Sequence, residues 1–245
     1  MPDPRPLVIV KTGDTLQDLR AQRGDFEQWV AEGLGLTRLP LVVLDPRRGD
    51  RLPAPGKIAG AVVTGSHAMV SHRVDWSEAT AGWLARGVAQ GTPLLGICFG
   101  HQLLAHALGG TADDHPQGLE IGTVDVALTP AAAQDALFGG LPANFPAHVI
   151  HRQSALRLPE GAVCLAGSAR EANHAFRAGD CAWGVQFHPE FDADAMRGYI
   201  DAMAAELPDA AALRHRVAPT PHATSLLARF GRLVEAREAQ APGAS

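Results

Sequence analysis

The stretch Pro93-Leu94-Leu95-Gly96-Ile97-Cys98-Phe99-Gly100-His101-Gln102 decides the reading of this chain. Residues 93–97 are apolar throughout, as in a strand buried on both faces. The run stops on Cys98, with Gly96 and Gly100 two residues away on either side, and a helical pattern covers residues 102–108. A strand that turns sharply into a helix lifts the intervening side chain above the sheet edge, the geometry of a nucleophile elbow. Glycines belong at both flanks because larger neighbours collide with so cramped a turn. A cysteine at a helix start faces unpaired N–H groups and the positive end of the helix dipole, which favour a thiolate. The backbone N–H of Phe99 points the same way and can bind a developing oxyanion. Burial as an inert core thiol is the commoner fate of a lone cysteine. Here the glycine frame and the following His101-Gln102 favour chemistry.

Outward from the elbow, further apolar runs occupy residues 7–10, 39–44 and 58–63. The first stops at Thr12-Gly13, the second at Asp45-Pro46 and the third at Thr64-Gly65-Ser66; each reads as a buried strand. Between them, residues 14–34 follow a helical pattern broken at Gly24. Asp25 is placed to cap a segment with Phe26, Trp29 and Val30 on one face. Residues 75–90 repeat Trp76, Ala79, Trp83 and Leu84 at three- and four-residue steps. All-apolar strands alternating with helices predict an α/β fold whose sheet is covered on both faces.

Beyond Gly109-Gly110 the texture changes. Short strand-like runs at 121–128, 147–151, 163–166 and 182–187 predict a strand-rich second half, and residues 170–177, of mixed charge, read as surface. Residues 192–207 return to helix. A tail from residue 208 carries Leu226, Leu227, Phe230 and Leu233 on one helical face, which predicts that it docks on the body; residues 240–245 read as disordered. The expected organisation is one domain over 1–207 and a helical tail over 208–245.

Composition narrows the functional classes. With 245 residues, 46% of them hydrophobic, the chain can bury a full core. A net charge of −5 gives no general attraction to nucleic acid or anionic membranes. The sequence lacks both a membrane-spanning apolar run and the basic-then-apolar pattern of a secretory signal. Three cysteines without a CxxC pair argue against a disulfide framework or a zinc knuckle. Cys164 and Cys181 read as core thiols, and a reducing cytoplasm is the natural compartment. Among eleven histidines, the pairs His67/His72 and His148/His151 lack a familiar ligand pattern, so no metal is expected. Gly109-Gly110 and Gly139-Gly140 lack a following Lys-Ser/Thr and read as turns rather than phosphate loops.

The second motif is Trp183-Gly184-Val185-Gln186-Phe187-His188-Pro189-Glu190-Phe191. His188 and Glu190 stand two residues apart at a strand end, on one face, with Pro189 stiffening the link. Glu190 can then accept from one imidazole nitrogen while the other faces the sulfur. Together the two motifs resemble the class I, triad-type glutamine amidotransferase family, over residues 6 to about 205, and most closely its GMP-synthase-like branch with that branch's stand-alone relatives.

The resemblance implies a flavodoxin-like three-layer α/β fold with a mostly parallel central sheet. It implies a cysteine-nucleophile enzyme needing no cofactor, with Cys98 attacking the glutamine side-chain carbonyl, His188 as base and acid, and Glu190 orienting it. A γ-glutamyl thioester forms, ammonia leaves and water releases glutamate. Gly65 matches the family loop that supplies a second oxyanion N–H beside Phe99, although Thr64-Gly65-Ser66-His67-Ala68 departs from the common Gly-Gly-Pro-x-Ser. Gln102 matches the position that contacts bound glutamine; His101 reads equally well as structural support under the elbow. Residues 149–154 resemble the region lining the substrate pocket. No phosphate loop of an ATP-pyrophosphatase domain follows, so ammonia is expected either to pass to a separate synthetase subunit or to be released by a stand-alone hydrolase. Two alternatives stand beside a glutaminase: a γ-glutamyl peptidase or transferase using the same thioester, and a non-catalytic binding module. The intact triad argues against the module.

Overall fold

In the computed structural model, which describes residues 4–241, the apolar runs of the sequence become neighbouring strands. The chain runs β1 (Leu7–Val10), α1 (Gln17–Arg23), α2 (Phe26–Leu34), β2 (Leu41–Leu44), β3 (Gly60–Val63), α3 (Asp75–Ala89), β4 (Leu94–Ile97) and α4 (Phe99–Ala107). Then come β5 (Thr111–Asp114), β6 (Glu120–Leu128), β7 (Asn144–His151), β8 (Gln153–Arg157), β9 (Val163–Gly167), β10 (Ala175–Ala178) and β11 (Ala182–Val185). Helices α5 (Ala193–Ala202), α6 (Ala210–His215) and α7 (Pro221–Gln240) close the order. The main sheet runs β2-β1-β3-β4-β11-β10-β9-β6-β7, while β5 and β8 form a separate ribbon. Pairings from β2 through to β11 are parallel, and those from β11 outward to β7 are antiparallel. The first five strands thus follow the flavodoxin-like order, whose ligand crevice lies at the carboxyl ends beside the switch between β1 and β3.

Alternation along β1 sends its side chains to two opposite layers. Leu7 and Ile9 pack with Val30 and Leu34 of α2 and with Leu226, Leu227, Phe230 and Val234 of α7. Val8 and Val10 pack with Trp83 and Leu84 of α3 and Leu103 and Leu104 of α4. Helix α7 therefore covers one sheet face and shares its core. Asp25 caps α2 in a reciprocal box, accepting from backbone N–H groups while the Gln28 side chain accepts from the Asp25 N–H. Among the described residues no helix is long and apolar enough to cross a membrane. Of the 240–245 segment expected to be disordered, Gln240 ends α7, and residues 242–245 lie outside the described residues.

Several expectations need correction. The run at 39–44 is not buried: Leu41, Val42 and Val43 are 37%, 37% and 43% exposed, because β2 is an edge strand with a neighbour on one side only. Residues 170–177 are not ordinary surface. Ala175 and Phe176 are buried in β10, in mid-sheet between β11 and β9. The charges that disguised this strand find partners near and far: Glu171 accepts from the Asn173 N–H at 2.8 Å, and Arg177 pairs with Asp135, 42 residues away, at 2.9 Å. Cys164 is half-buried rather than a core thiol. Helix α4 starts at Phe99, directly after the cysteine, instead of at residue 102.

Candidate active site

Cys98 joins β4 to α4 as the helix N-cap, with φ 49° and ψ −99°. Only Arg73 shares a positive φ among the described non-glycine residues. An L-residue persists in this region when its surroundings over-determine it, and such strain clusters at functional sites. Here the glycine frame enforces it. A Cβ on Gly96 would lie 2.3 Å from the Gly100 carbonyl oxygen, and one on Gly100 would lie 2.5 Å from the Val63 oxygen. Neither position accepts a side chain without moving backbone. The Cys98 N–H donates to Val185 O at 2.8 Å, tying the elbow to β11. As the first residue of α4, Phe99 presents an N–H with no partner inside the helix.

The His188-Pro189-Glu190 segment leaves the end of β11, the strand beside β4, so the parallel pairing brings both motifs to one sheet edge. His188 Nδ1 and Glu190 Oε1 are 2.8 Å apart, with both side chains buried. The imidazole stacks on Phe191 at 4.2 Å between ring centres, which fixes its plane. Its Nε2 is buried and has no hydrogen-bond partner among the described residues. Burial alone disfavours a charged imidazole, but the Glu190 carboxylate and the Cys98 sulfur outweigh it and raise the His188 pKa to about 10. Gly65, after β3, completes the cluster: a Cβ there would lie 3.1 Å from His188 Cε1 and 3.9 Å from Cys98 Cβ. Three strand ends thus deliver Gly65, Cys98 and His188 to one point.

A cavity of about 280 Å³ opens on the sulfur, walled by Cys98, Gln102 and His151 and, on its apolar side, by Leu16, Ile150 and Met203. Gln102 is held in place by donation to Gln153 O at 2.6 Å and Gln186 Oε1 at 3.0 Å. The 149–154 region, only loosely placed by resemblance, supplies Ile150, His151, Arg152 and Gln153 to the wall. His151 is fixed by Glu120 Oε2 at 2.9 Å and by Gln153 O at 3.0 Å. Leu16, Tyr199 and Met203 come from segments whose sequence gave no sign of the site. His101 forms no part of the wall. It packs under β11 against Phe176 at 5.0 Å, and burial drives its pKa down to about 3. His148 is likewise buried, whereas His67 lines the cavity. No group of three or more His, Cys, Asp or Glu stands ready for a metal among the described residues. Sequence reasoning also passed over Gln186, quoted in the second motif without a role; its amide lies 3.5 Å from the Cys98 sulfur.

Comparison with known proteins identifies the family. The sequence model of the family described as glutamine amidotransferase class-I matches residues 56–201. A GMP synthase (glutamine-hydrolyzing) of Porphyromonas gingivalis is 41% identical over 99 residues, covering 40% of this chain and 19% of that protein. Gamma-glutamyl peptidase 4 of Arabidopsis thaliana is 30% identical over 151 residues, covering 61% of this chain and 60% of that one. The chain thus spans about a fifth of the GMP synthases it matches, 19% and 18% in two of them. The crystal structure of a glutamine amido transferase from Methylobacillus flagellatus superposes with a TM-score of 0.72 at 25% identity, over 97% of this chain and 95% of that one. This protein belongs to the class-I glutamine amidotransferase family.

Proposed function

We propose that this chain hydrolyses the side-chain amide of glutamine by nucleophilic catalysis at Cys98. The observation that carries the reading is the strained elbow, which holds Cys98 close to Gly65, itself beside the His188–Glu190 pair, at the wall of a cavity that takes a small molecule. The Cys98 thiolate adds to the amide carbon, and the carbonyl electron pair moves to oxygen, held by the N–H groups of Phe99 and Gly65. The His188 imidazolium passes a proton to the amide nitrogen, the C–N bond breaks and ammonia leaves a γ-glutamyl thioester. Neutral His188 then takes a proton from water as it attacks, glutamate departs, and the thiolate regains its electron pair. Glu190 keeps the Nδ1 proton in place throughout, while Gln102 contacts the substrate. The free thiol suits a reducing cytoplasm, and a separate synthetase subunit is the proposed ammonia acceptor. Neither nucleic acid nor membrane enters the reading.

A second reading, a γ-glutamyl peptidase, is favoured by the apolar wall of Leu16, Ile150 and Met203, which suits a leaving amine larger than ammonia. The purified chain, supplied with glutamine and with γ-glutamyl peptides, separates the two. Ammonia from glutamine supports the first reading; amine release from the peptides alone supports the second. Cys98→Ala should reduce either activity roughly 10³-fold or more while far-UV dichroism and the unfolding midpoint stay unchanged. Retained turnover would remove Cys98 from the mechanism.

A further inference from the structure

Gln186 is fully buried between β11 and the His188 segment, and it forms no part of the cavity wall. A buried primary amide must place two donors and an acceptor against partners, or it costs stability. The hydrogen-bond partners fix its orientation. The backbone oxygen of Gln153 can only accept, so the atom of Gln102 that lies 2.6 Å from it is the NH₂ group. That same NH₂ lies 3.0 Å from Gln186, which must therefore turn its oxygen toward Gln102. The Gln186 NH₂ is left facing the Cys98 sulfur at 3.5 Å. One backbone carbonyl fixes the direction of the whole chain of amides.

The sulfur has a second polar neighbour of opposite character. Ile150 O lies 3.6 Å away and can only accept a hydrogen bond from the thiol. Once the thiol ionises, that contact has no hydrogen left to share, while the Gln186 N–H gains strength against a charged acceptor. The two contacts thus distinguish the two states of the nucleophile: Ile150 O serves the thiol, and Gln186 serves the thiolate.

We infer that Gln186 is a positioning residue for the nucleophile, its side-chain amide donating to the Cys98 sulfur in a direction set by Gln102 and the Gln153 carbonyl. This rests on the reading of Cys98 as a reactive thiol. The donor helps most where sulfur carries charge, before attack and as the thioester is broken. It helps least in the thioester itself, where the electron pair is committed to the C–S bond.

The test is the rate of Cys98 alkylation by iodoacetamide as a function of pH, read by peptide mass spectrometry. Gln186→Met keeps the length and removes the donor, and Gln102 retains its bond to Gln153 O. Labelling on the acid limb of the profile should slow about ten-fold, the size expected of one hydrogen bond to a charged acceptor. That limb should move up by about one pH unit, with the unfolding midpoint little changed. Should that variant not fold, Gln186→Glu preserves the shape and sets an acceptor against the sulfur. At pH 8 its labelling should be slowed at least as much. Labelling profiles that superpose on wild type in the folded variant overturn the inference and leave the proposed function standing. A wild-type Cys98 that resists alkylation overturns both.

Discussion

At His188 two opposing effects meet: burial disfavours the imidazolium, and the Glu190 carboxylate with the Cys98 sulfur favours it strongly enough to raise the pKa to about 10. The charged ring therefore persists across the neutral range, and with it the proton that the leaving amine needs. Because charge on two coupled groups is involved, the alkaline limb of the pH–rate profile belongs to the pair. Glu190→Gln retains a hydrogen-bond acceptor for Nδ1 but removes the negative charge that holds the proton. The folded pKa then falls, and the alkaline limb of kcat should move to lower pH by about one unit or more. Stopped assays from pH 6 to 10.5 read it directly; an unmoved limb would show that Glu190 does not set the His188 charge. Gly65 shows a different kind of constraint at the same point. Its demand is spatial, since a Cβ would press to within 3.1 Å of the ring that must shuttle the proton.

The elbow unites strand β4 and helix α4 through backbone contact, which is why it was legible at once in sequence: glycines at fixed offsets around a cysteine admit few other readings. Helix α7 was legible by its periodic face, and the structure buries Leu226, Leu227 and Phe230 of that face completely. Phe230 meets Trp183 of β11 at 6.3 Å between ring centres, coupling the last helix to the strand that leads to His188. Phe230→Ala should therefore cost about 3–5 kcal/mol, the usual loss for truncating a buried aromatic. Urea unfolding measures it, and a loss under about 1 kcal/mol would show that α7 packs loosely. Other elements were not legible, for physical reasons. In β10 the buried pair Ala175-Phe176 is flanked by Glu171 and Arg177, whose partners Ser154, Asn173 and Asp135 lie partly in distant segments. Burial of those charges depends on tertiary partners, and no local pattern announces it. The same holds for β2, whose apolar sequence resembles a central strand while its position is at the edge. The apolar cavity wall formed by Leu16, Tyr199 and Met203 is likewise a product of packing.

Across the whole molecule, four buried histidines, His101, His148, His174 and His188, pull stability in opposite directions with pH. Burial pushes His101 down to about 3 and His148 and His174 each to about 4, so the fold holds all three neutral. In the unfolded chain they titrate near 6.5. Between about pH 4 and 6.5 the unfolded state therefore binds more protons, and stability falls as the pH is lowered. Each such proton contributes a slope of about 1.4 kcal/mol per pH unit. His188 acts in the reverse sense. Its folded pKa lies above the unfolded value, so its contribution is fully present below about pH 6.5 and is lost as pH rises toward 10. The expected stability curve is a maximum near pH 6.5 to 7, steep on the acid side, where three neutral rings are at stake, and shallower on the alkaline side, where one is. Thermal unfolding midpoints measured from pH 4.5 to 9.5 trace this shape. His188→Gln should flatten the alkaline slope and leave the acid slope largely intact, because burial, rather than the His188 charge, is the main cause that lowers His101, His148 and His174. An alkaline slope unchanged by that substitution would place the proton held at high pH on another group and detach the catalytic ion pair from the stability of the fold.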